Sequence, residues 1–234
     1  MLLLDSVYML LGKPYGSHQN VYAIDIERSN ELVLIDTGLD DADLRMIERN
    51  IESFGLSGRT IKDIFITHCH FDHAGNAEKF RKKGARIHIG SEDAEPILSG
   101  NDRAIGFAYG IAFPKVGSVE TVSDEEVFEF DGMTVTALHT PGHSRGFMCY
   151  ELKTGDKTIL FSGDFLQFDM EGDPIPGVKV DPLYDYDDYL ASAYKMSGKE
   201  YDAILPGHFM PVLTRGGKTG ALLRELLVRR ELYK

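Results

Sequence analysis

The chain of 234 residues carries 25 Lys and Arg against 37 Asp and Glu, with 43% hydrophobic residues, which suits a soluble globular protein with a sizeable core. Its net charge of −12 sets it against phosphate backbones and anionic bilayers, so neither nucleic acid nor a membrane is an expected partner. Cys69 and Cys149 are too few for a disulfide framework, and no apolar run approaches the roughly 20 residues of a membrane helix.

The apolar start Met1–Leu4 is interrupted by Asp5 and lacks a basic leader, so it reads as a first strand and the expected location is cytoplasmic. Val21–Ile26 and Glu31–Asp36 are short β-branched runs joined by the polar turn Arg28-Ser29-Asn30, a hairpin signal. Asp40-Asp41-Ala42-Asp43 opens a helix with Leu44, Ile47 and Ile51 at helical spacing and acids at the end the dipole favours. Ile61–Ile66 is a strand apolar enough for burial on both faces. Ala74–Lys83 reads as a helix stopped by Gly84, and Arg86–Ile89 as a short strand. In the second half, Glu126–Phe130 and Met133–Leu138 flank an Asp131-Gly132 turn, and Phe147–Leu152 and Thr158–Phe161 flank Thr154-Gly155-Asp156. A helix over 187–196, a buried strand Ala203–Leu205 and a terminal helix over 219–232, with Leu222, Leu223, Leu226 and Leu227 on one face, complete the order. No linker or low-complexity tract divides the chain, so one domain over residues 1–234 is expected. Helices interspersed among more numerous strands predict an α+β fold of two packed mixed sheets with helices outside. The segments 91–123 and 165–185 are irregular and rich in aromatic residues, as walls or lids of sites are.

His68-Cys69-His70-Phe71-Asp72-His73 follows the buried strand Ile61–Ile66 and places four metal-competent side chains within six residues. In extended backbone, residues two apart point the same way, so His68 and His70 can grip one ion while Asp72 and His73, past the turn, reach elsewhere. Cys69 alternates with the histidines and is expected to point away as inert packing. His143 in Thr140-Pro141-Gly142-His143, Asp164 after the strand at Phe161, and His208 in Pro206-Gly207-His208 also stand where strands give way to loops. Independent turns have no reason to converge on histidine and aspartate. His18, His88 and His139 lack this context and are read as structural.

Taken together, His68-x-His70-x-Asp72-His73, His143, Asp164, His208 and the Asp36-Thr37-Gly38 turn make the chain resemble the metallo-β-lactamase superfamily over nearly its whole length. The resemblance implies a four-layer αββα sandwich with a site along one edge of the sheets. It assigns His68, His70 and His143 to a first metal ion, and Asp72, His73 and His208 to a second. Asp164 bridges them beside a water or hydroxide. The implied cofactors are two divalent ions, zinc first, with iron and manganese also suited to imidazole–carboxylate sites. The implied reaction is hydrolysis by a metal-bridging hydroxide, with Asp72 orienting the nucleophile or passing a proton.

Departures from known branches narrow this expectation. Common β-lactamases carry cysteine where this chain has Asp164, glyoxalase II adds a longer C-terminal extension, and nuclease branches add RNA-binding surfaces. A small ester, thioester or lactone remains as substrate, resembling the lactonase and glyoxalase-II-like branches. The aromatic segments would wall the pocket, and Tyr184 or Tyr186 would assist at the substrate carbonyl. Two alternatives share the motif: a persulfide dioxygenase with a single iron on His68, His143 and Asp164, and a metal-containing ligand-binding or regulatory protein without turnover. A homo-oligomer is compatible with the sequence.

Overall fold

The computed structural model describes residues 1–213 and 218–229. Seven strands form the first sheet in chain order: β1 (Leu2–Leu4), β2 (Val7–Leu11), β3 (Val21–Ile26), β4 (Glu31–Ile35), β5 (Thr60–Ile66), β6 (Arg86–Gly90) and β7 (Glu120–Val122). The β1 to β4 pairings are antiparallel, whereas β4 through β7 run parallel. Parallel neighbours require crossovers. These are supplied by α1 (Asp41–Ser53), by the pair α2 (Phe71–Ala74) and α3 (Ala77–Lys82), and by α4 (Ser91–Ser99) with α5 (Gly106–Tyr109). The second sheet builds from β8 (Val127–Phe130), β9 (Met133–His139), β10 (Met148–Thr154) and β11 (Lys157–Gly163). After the small ribbon of β12 (Gln167–Phe168) and β13 (Pro174–Ile175), α6 (Tyr186–Met196) crosses back. β14 (Ala203–Pro206) then joins the sheet parallel to β11, and α7 (Lys218–Arg229) follows.

Side-chain alternation sorts the apolar residues into three cores. Leu32, Leu34, Ile64 and Ile66 meet Leu44 and Ile47 of α1 and Phe80 of α3 on the outer face of the first sheet. Val33, Ile35 and Phe65, one residue out of phase, face Val135, Ala137, Tyr150, Leu152, Ile159 and Phe161 between the sheets. Leu138, Cys149, Leu160 and Ile204 leave the far side of the second sheet and pack on Tyr189, Ala193 and Met196 of α6 and Leu222 of α7. Three cores separate four layers, giving the expected αββα order. No helix among the described residues is long and apolar enough to cross a membrane.

Several local features differ from the sequence expectation. The helix expected over Ala74–Lys83 is broken at Gly75 and Asn76, because the Asn76 side-chain amide donates to the carbonyls of Thr37 and Asp40 at 3.0 and 2.9 Å and holds the chain there. Gly75 presses on Leu39 so closely that a Cβ would meet its carbonyl oxygen. Strand β2 lies beyond the expected first strand, and α4 and β7 occupy the segment read as irregular. Helix α4 carries Pro96, which hides it from propensity, and β7 has only three residues. At the C-terminus, Leu222 is buried; the side chains of Leu223, Leu226 and Leu227, and residues 230–232 of the expected helix, lie outside the described residues.

The carboxyl ends of the parallel strands β4, β5, β6, β11 and β14 open onto one edge of the sandwich. Sites in such sheets form there because loops diverge beyond the last ladder hydrogen bond. Two tyrosines fasten the sheets beneath this edge. Tyr22 of the first sheet donates to the Pro206 carbonyl at 2.7 Å, and Tyr150 of the second donates to the Ile66 carbonyl at 2.9 Å. The Met148 amide adds a bond to the Thr67 carbonyl at 2.8 Å.

Candidate metal centre

Each expected ligand leaves the end of a strand. His68 to His73 follow β5 and turn into α2; His143 follows β9, Asp164 follows β11 and His208 follows β14. The structure brings all seven side chains together at the sandwich edge. Ligand atoms of His68, His70 and His143 lie within 4.8 Å of one another, as do those of Asp72, His73 and His208, and those of His68, His73 and Asp164. Asp164 stands between the groups: its Oδ1 is 3.4 Å from His73 Nε2, and its Oδ2 is 3.6 Å from His143 Nε2 and 3.3 Å from His208 Nε2. Asp72 Oδ2 is 3.3 Å from His208 Nε2 and 3.6 Å from His73 Nε2.

The backbone makes this convergence possible at glycine. Gly207 passes so close that a Cβ would lie 2.6 Å from Asp164 Oδ1 and 2.7 Å from His73 Cε1. Gly163 has φ +48°, a left-handed conformation that turns Asp164 inward and that a side chain resists.

Outer hydrogen bonds fix which ring nitrogen faces the centre. Asp36 Oδ2 stands 2.8 Å from His73 Nδ1 and also accepts from the Thr67 hydroxyl, whose oxygen lies 3.0 Å from His68 Nδ1. His208 Nδ1 is 2.9 Å from the His18 carbonyl. The Nε2 atoms of His68 and His143 and the Oδ1 of Asp164 are buried without a hydrogen-bond partner. Unpaired buried polar atoms are costly. Nitrogen and carboxylate donors converging in this state fit a divalent ion of the zinc type, with outer partners of the kind metal-bound histidines use.

The two groups of residues differ electrostatically. Burial, reinforced by neighbouring histidines, drives His68 well below the usual histidine range and His143 down to about 3. These rings are neutral and ready to ligate. Burial also opposes charge on His73, but Asp72, Asp164 and Asp36 overcome it and raise His73 to about 9; Asp164 and Asp72 likewise raise His208 well above its usual value. The metal-free protein thus holds two protonated histidines against its carboxylates at neutral pH, an attraction fully present below pH 6.5 and lost for His73 as pH rises through about 9. A metal ion must displace those protons, so zinc affinity is expected to rise from about pH 6 to about pH 9. Zinc titration calorimetry in buffers of different ionisation heat, run near neutral pH, checks this as a net release of protons; no release would contradict the assignment.

Other expected residues fall differently. His88 Nε2 is 2.7 Å from Asp63 and its ring stacks on Phe65, and His139 Nε2 is 2.9 Å from the Arg145 carbonyl, so both are structural. His18 contributes its backbone carbonyl to orienting His208. Cys69 is buried with its thiol pushed up by burial, as inert packing requires, yet its Sγ also lies within ligand distance of His70 and Asp181. Tyr184 packs near Tyr189, with ring centroids 6.1 Å apart, and Tyr186 opens α6 against the same cluster. Tyr109, which the sequence does not single out, stands near Asp72; burial and that carboxylate raise its hydroxyl above the ordinary tyrosine range. It belongs to a segment expected to form a wall, but no motif distinguishes one aromatic there from another. A cavity of about 340 Å³ opens beside His208, lined by Lys13, Gly16, Ser17, His18 and Phe209.

Two mixed sheets between helix layers, with histidines and carboxylates gathered at the carboxyl ends of the strands, define a metallohydrolase scaffold. The chain belongs to the metallo-β-lactamase superfamily, whose family model matches residues 14–208. It is 27% identical over 233 residues to the acyl-coenzyme A thioesterase MBLAC2 of Bos taurus, covering 88% of this chain and 78% of that protein. It is 31% identical over 168 residues to an atrochrysone carboxyl ACP thioesterase of Passalora fulva, covering 69% of this chain and 43% of that protein. In fold it resembles a metallo-β-lactamase family protein of Thermus thermophilus, with TM-score 0.77, 22% identity and coverage of 99% and 82% of the two chains. A subclass B3 metallo-β-lactamase of Bradyrhizobium japonicum superposes with TM-score 0.74 at 24% identity, covering 100% of this chain and 91% of that one.

Proposed function

We propose that the protein is a dinuclear metal hydrolase of small acyl thioesters. The observation that carries this reading is the position of Asp164 within 3.6 Å of histidines from both ligand groups. His68, His70 and His143 would hold one ion and Asp72, His73 and His208 the other, with Asp164 shared. When bound, the two ions supply Lewis acidity for the carbonyl and lower the pKa of water into the neutral range. The thioesterase relatives favour a thioester among the substrates that such a site serves.

The chain's own groups suit that bond. In hydrolysis the water oxygen bonds to the acyl carbon, the C–S bond breaks, and the sulfur takes the bond electrons. A thiol with pKa near about 8.5 leaves readily as thiolate, so the protein has one proton to accept and little need to deliver one. Asp72, beside His208 and His73, would accept it, and the nearby Tyr109 hydroxyl would orient that carboxylate. The cavity beside His208 offers room for one arm of the substrate.

Tyr109→Phe is expected to lower kcat about 10-fold, the worth of one hydrogen bond in the transition state. Tyr184→Phe and Tyr186→Phe, whose rings sit in the α6 cluster, are expected to change it less; the reverse order in steady-state assays would move the assisting tyrosine to the later segment.

The deciding experiment combines metal analysis with thioester hydrolysis. About two ions per chain, turnover of short acyl thioesters, loss in chelator and recovery with zinc are the expected results. One iron with oxygen uptake on glutathione persulfide, or tight metabolite binding without turnover, would overturn the reading.

A further inference from the structure

Beyond the seven expected ligands, the structure holds a second buried charged group. Asp93, near the start of α4, has a fully buried side chain. Its Oδ2 accepts from the Cys69 amide at 3.0 Å and from the Ser144 hydroxyl at 2.5 Å. Its Oδ1 accepts from the Gly146 amide at 2.8 Å and from Arg103 at 3.0 Å. Cys69 lies between His68 and His70, and Ser144 directly follows His143. One carboxylate therefore grips both loops that carry the three histidines. The fit is close: a Cβ on Gly146 would come 2.8 Å from Asp93 Cβ, and one on Gly90 would meet the Gly146 carbonyl oxygen.

Arg103 extends the group. Its Nε faces Asp181 Oδ2 at 3.9 Å, and the same oxygen is 3.6 Å from His70 Nε2. All three atoms are buried and none has a hydrogen-bond partner at normal distance. The Asp181 side chain is fully buried, and its Oδ1 is fixed by the Leu183 amide at 2.6 Å. Two buried carboxylates around one guanidinium carry a formal net charge of −1, one of them beside the His70 ring and the other against the loops of all three histidines. Leaving that charge in a dry interior is unfavourable unless a cation balances it.

We propose that Asp93, Arg103 and Asp181 form a positioning unit for the tri-histidine face. Asp93 sets the spacing of the two ligand loops. Asp181, 3.6 Å behind His70 Nε2, bounds that side of the ring and leaves Nδ1 to face an ion, and Arg103, bonded to Asp93 and facing Asp181, keeps the two carboxylates in place. Carboxylates behind metal-bound histidines raise ligand basicity and fix ring orientation. The proposal rests on the metal-site reading above.

The test measures zinc affinity by chelator competition, apart from activity. In a His208→Ala protein the tri-histidine face keeps all three ligands while the other group loses one, and Asp181→Asn or Asp93→Asn is expected to weaken zinc by about 10–100-fold there. In a His143→Ala protein, which retains the other ligand group, the same changes are expected to alter affinity by no more than about 2-fold. Unchanged affinity in the first background, or equal losses in both, would overturn the proposal. So would a His208→Ala protein that binds no zinc while the native chain does. If Asp93→Asn does not fold, Ser144→Ala removes a single bond of the same grip and is read in the same way, beside Asp181→Asn. Absence of zinc from the native protein would instead sink the underlying metal reading.

Discussion

Asp164→Ala is expected to lower kcat/KM for an acyl thioester by at least about 10³-fold, the scale of losing a preorganised electrostatic group from a dry site. This carboxylate is 5% exposed and reaches His73 with one oxygen and both His143 and His208 with the other. On the dinuclear reading proposed above, its removal would take a shared ligand from the centre; it leaves His73 and His208 with one carboxylate fewer. The metal count is therefore expected to fall with the rate. Asp164→Asn keeps the shape but loses the charge, and its rate should lie between alanine and native. Steady-state kinetics with parallel metal analysis decide the matter. A variant that keeps two ions and near-native turnover would remove Asp164 from the centre of the chemistry.

Asp72→Ala is the second large effect, and its signature is different. Asp72 touches His208 and His73 but belongs to neither of the groups containing His68. The tri-histidine ion should stay bound while proton handling fails, so kcat is expected to drop about 10²–10⁴-fold, the range of general acid–base catalysis. KM is expected to change little, because the cavity beside His208 retains its walls. Loss of kcat with one ion retained separates this outcome from collapse of the site. A kcat within about 10-fold of native would transfer the proton to a group other than Asp72.

Much of this arrangement is legible in the sequence, for identifiable reasons. His68, His70, Asp72 and His73 stand out because ligand chemistry is compressed into six residues after a strand whose apolar run marks it as buried. His143, Asp164 and His208 become visible because each follows a strand at a glycine turn. The four layers follow from residues such as Val33 and Leu34, which are both buried yet belong to cores on opposite faces of their sheet. Asp93, Arg103 and Asp181 are not legible: each is an ordinary charged residue in a segment without periodicity, and only folding sets Asp93 against Cys69, Ser144 and Gly146. Tyr109 is hidden for the same reason, since its value lies in reaching Asp72 from a four-residue helix. The break at Gly75 and Asn76 escapes because propensity cannot register an amide recruited by Thr37 and Asp40.

The reciprocal tyrosines, Tyr22 and Tyr150, have a thermodynamic corollary. They pin together two sheets that each own only part of the ligand set, His68 to His73 on one side and His143, Asp164 and His208 on the other. An ion that binds the assembled edge has no comparable partner in a chain whose sheets have parted, so occupancy and folding share one free-energy cycle. Metal at about 100 times its dissociation constant adds about 2.7 kcal/mol per site to the native state. The melting temperature of this protein is then a gauge of the free metal around it.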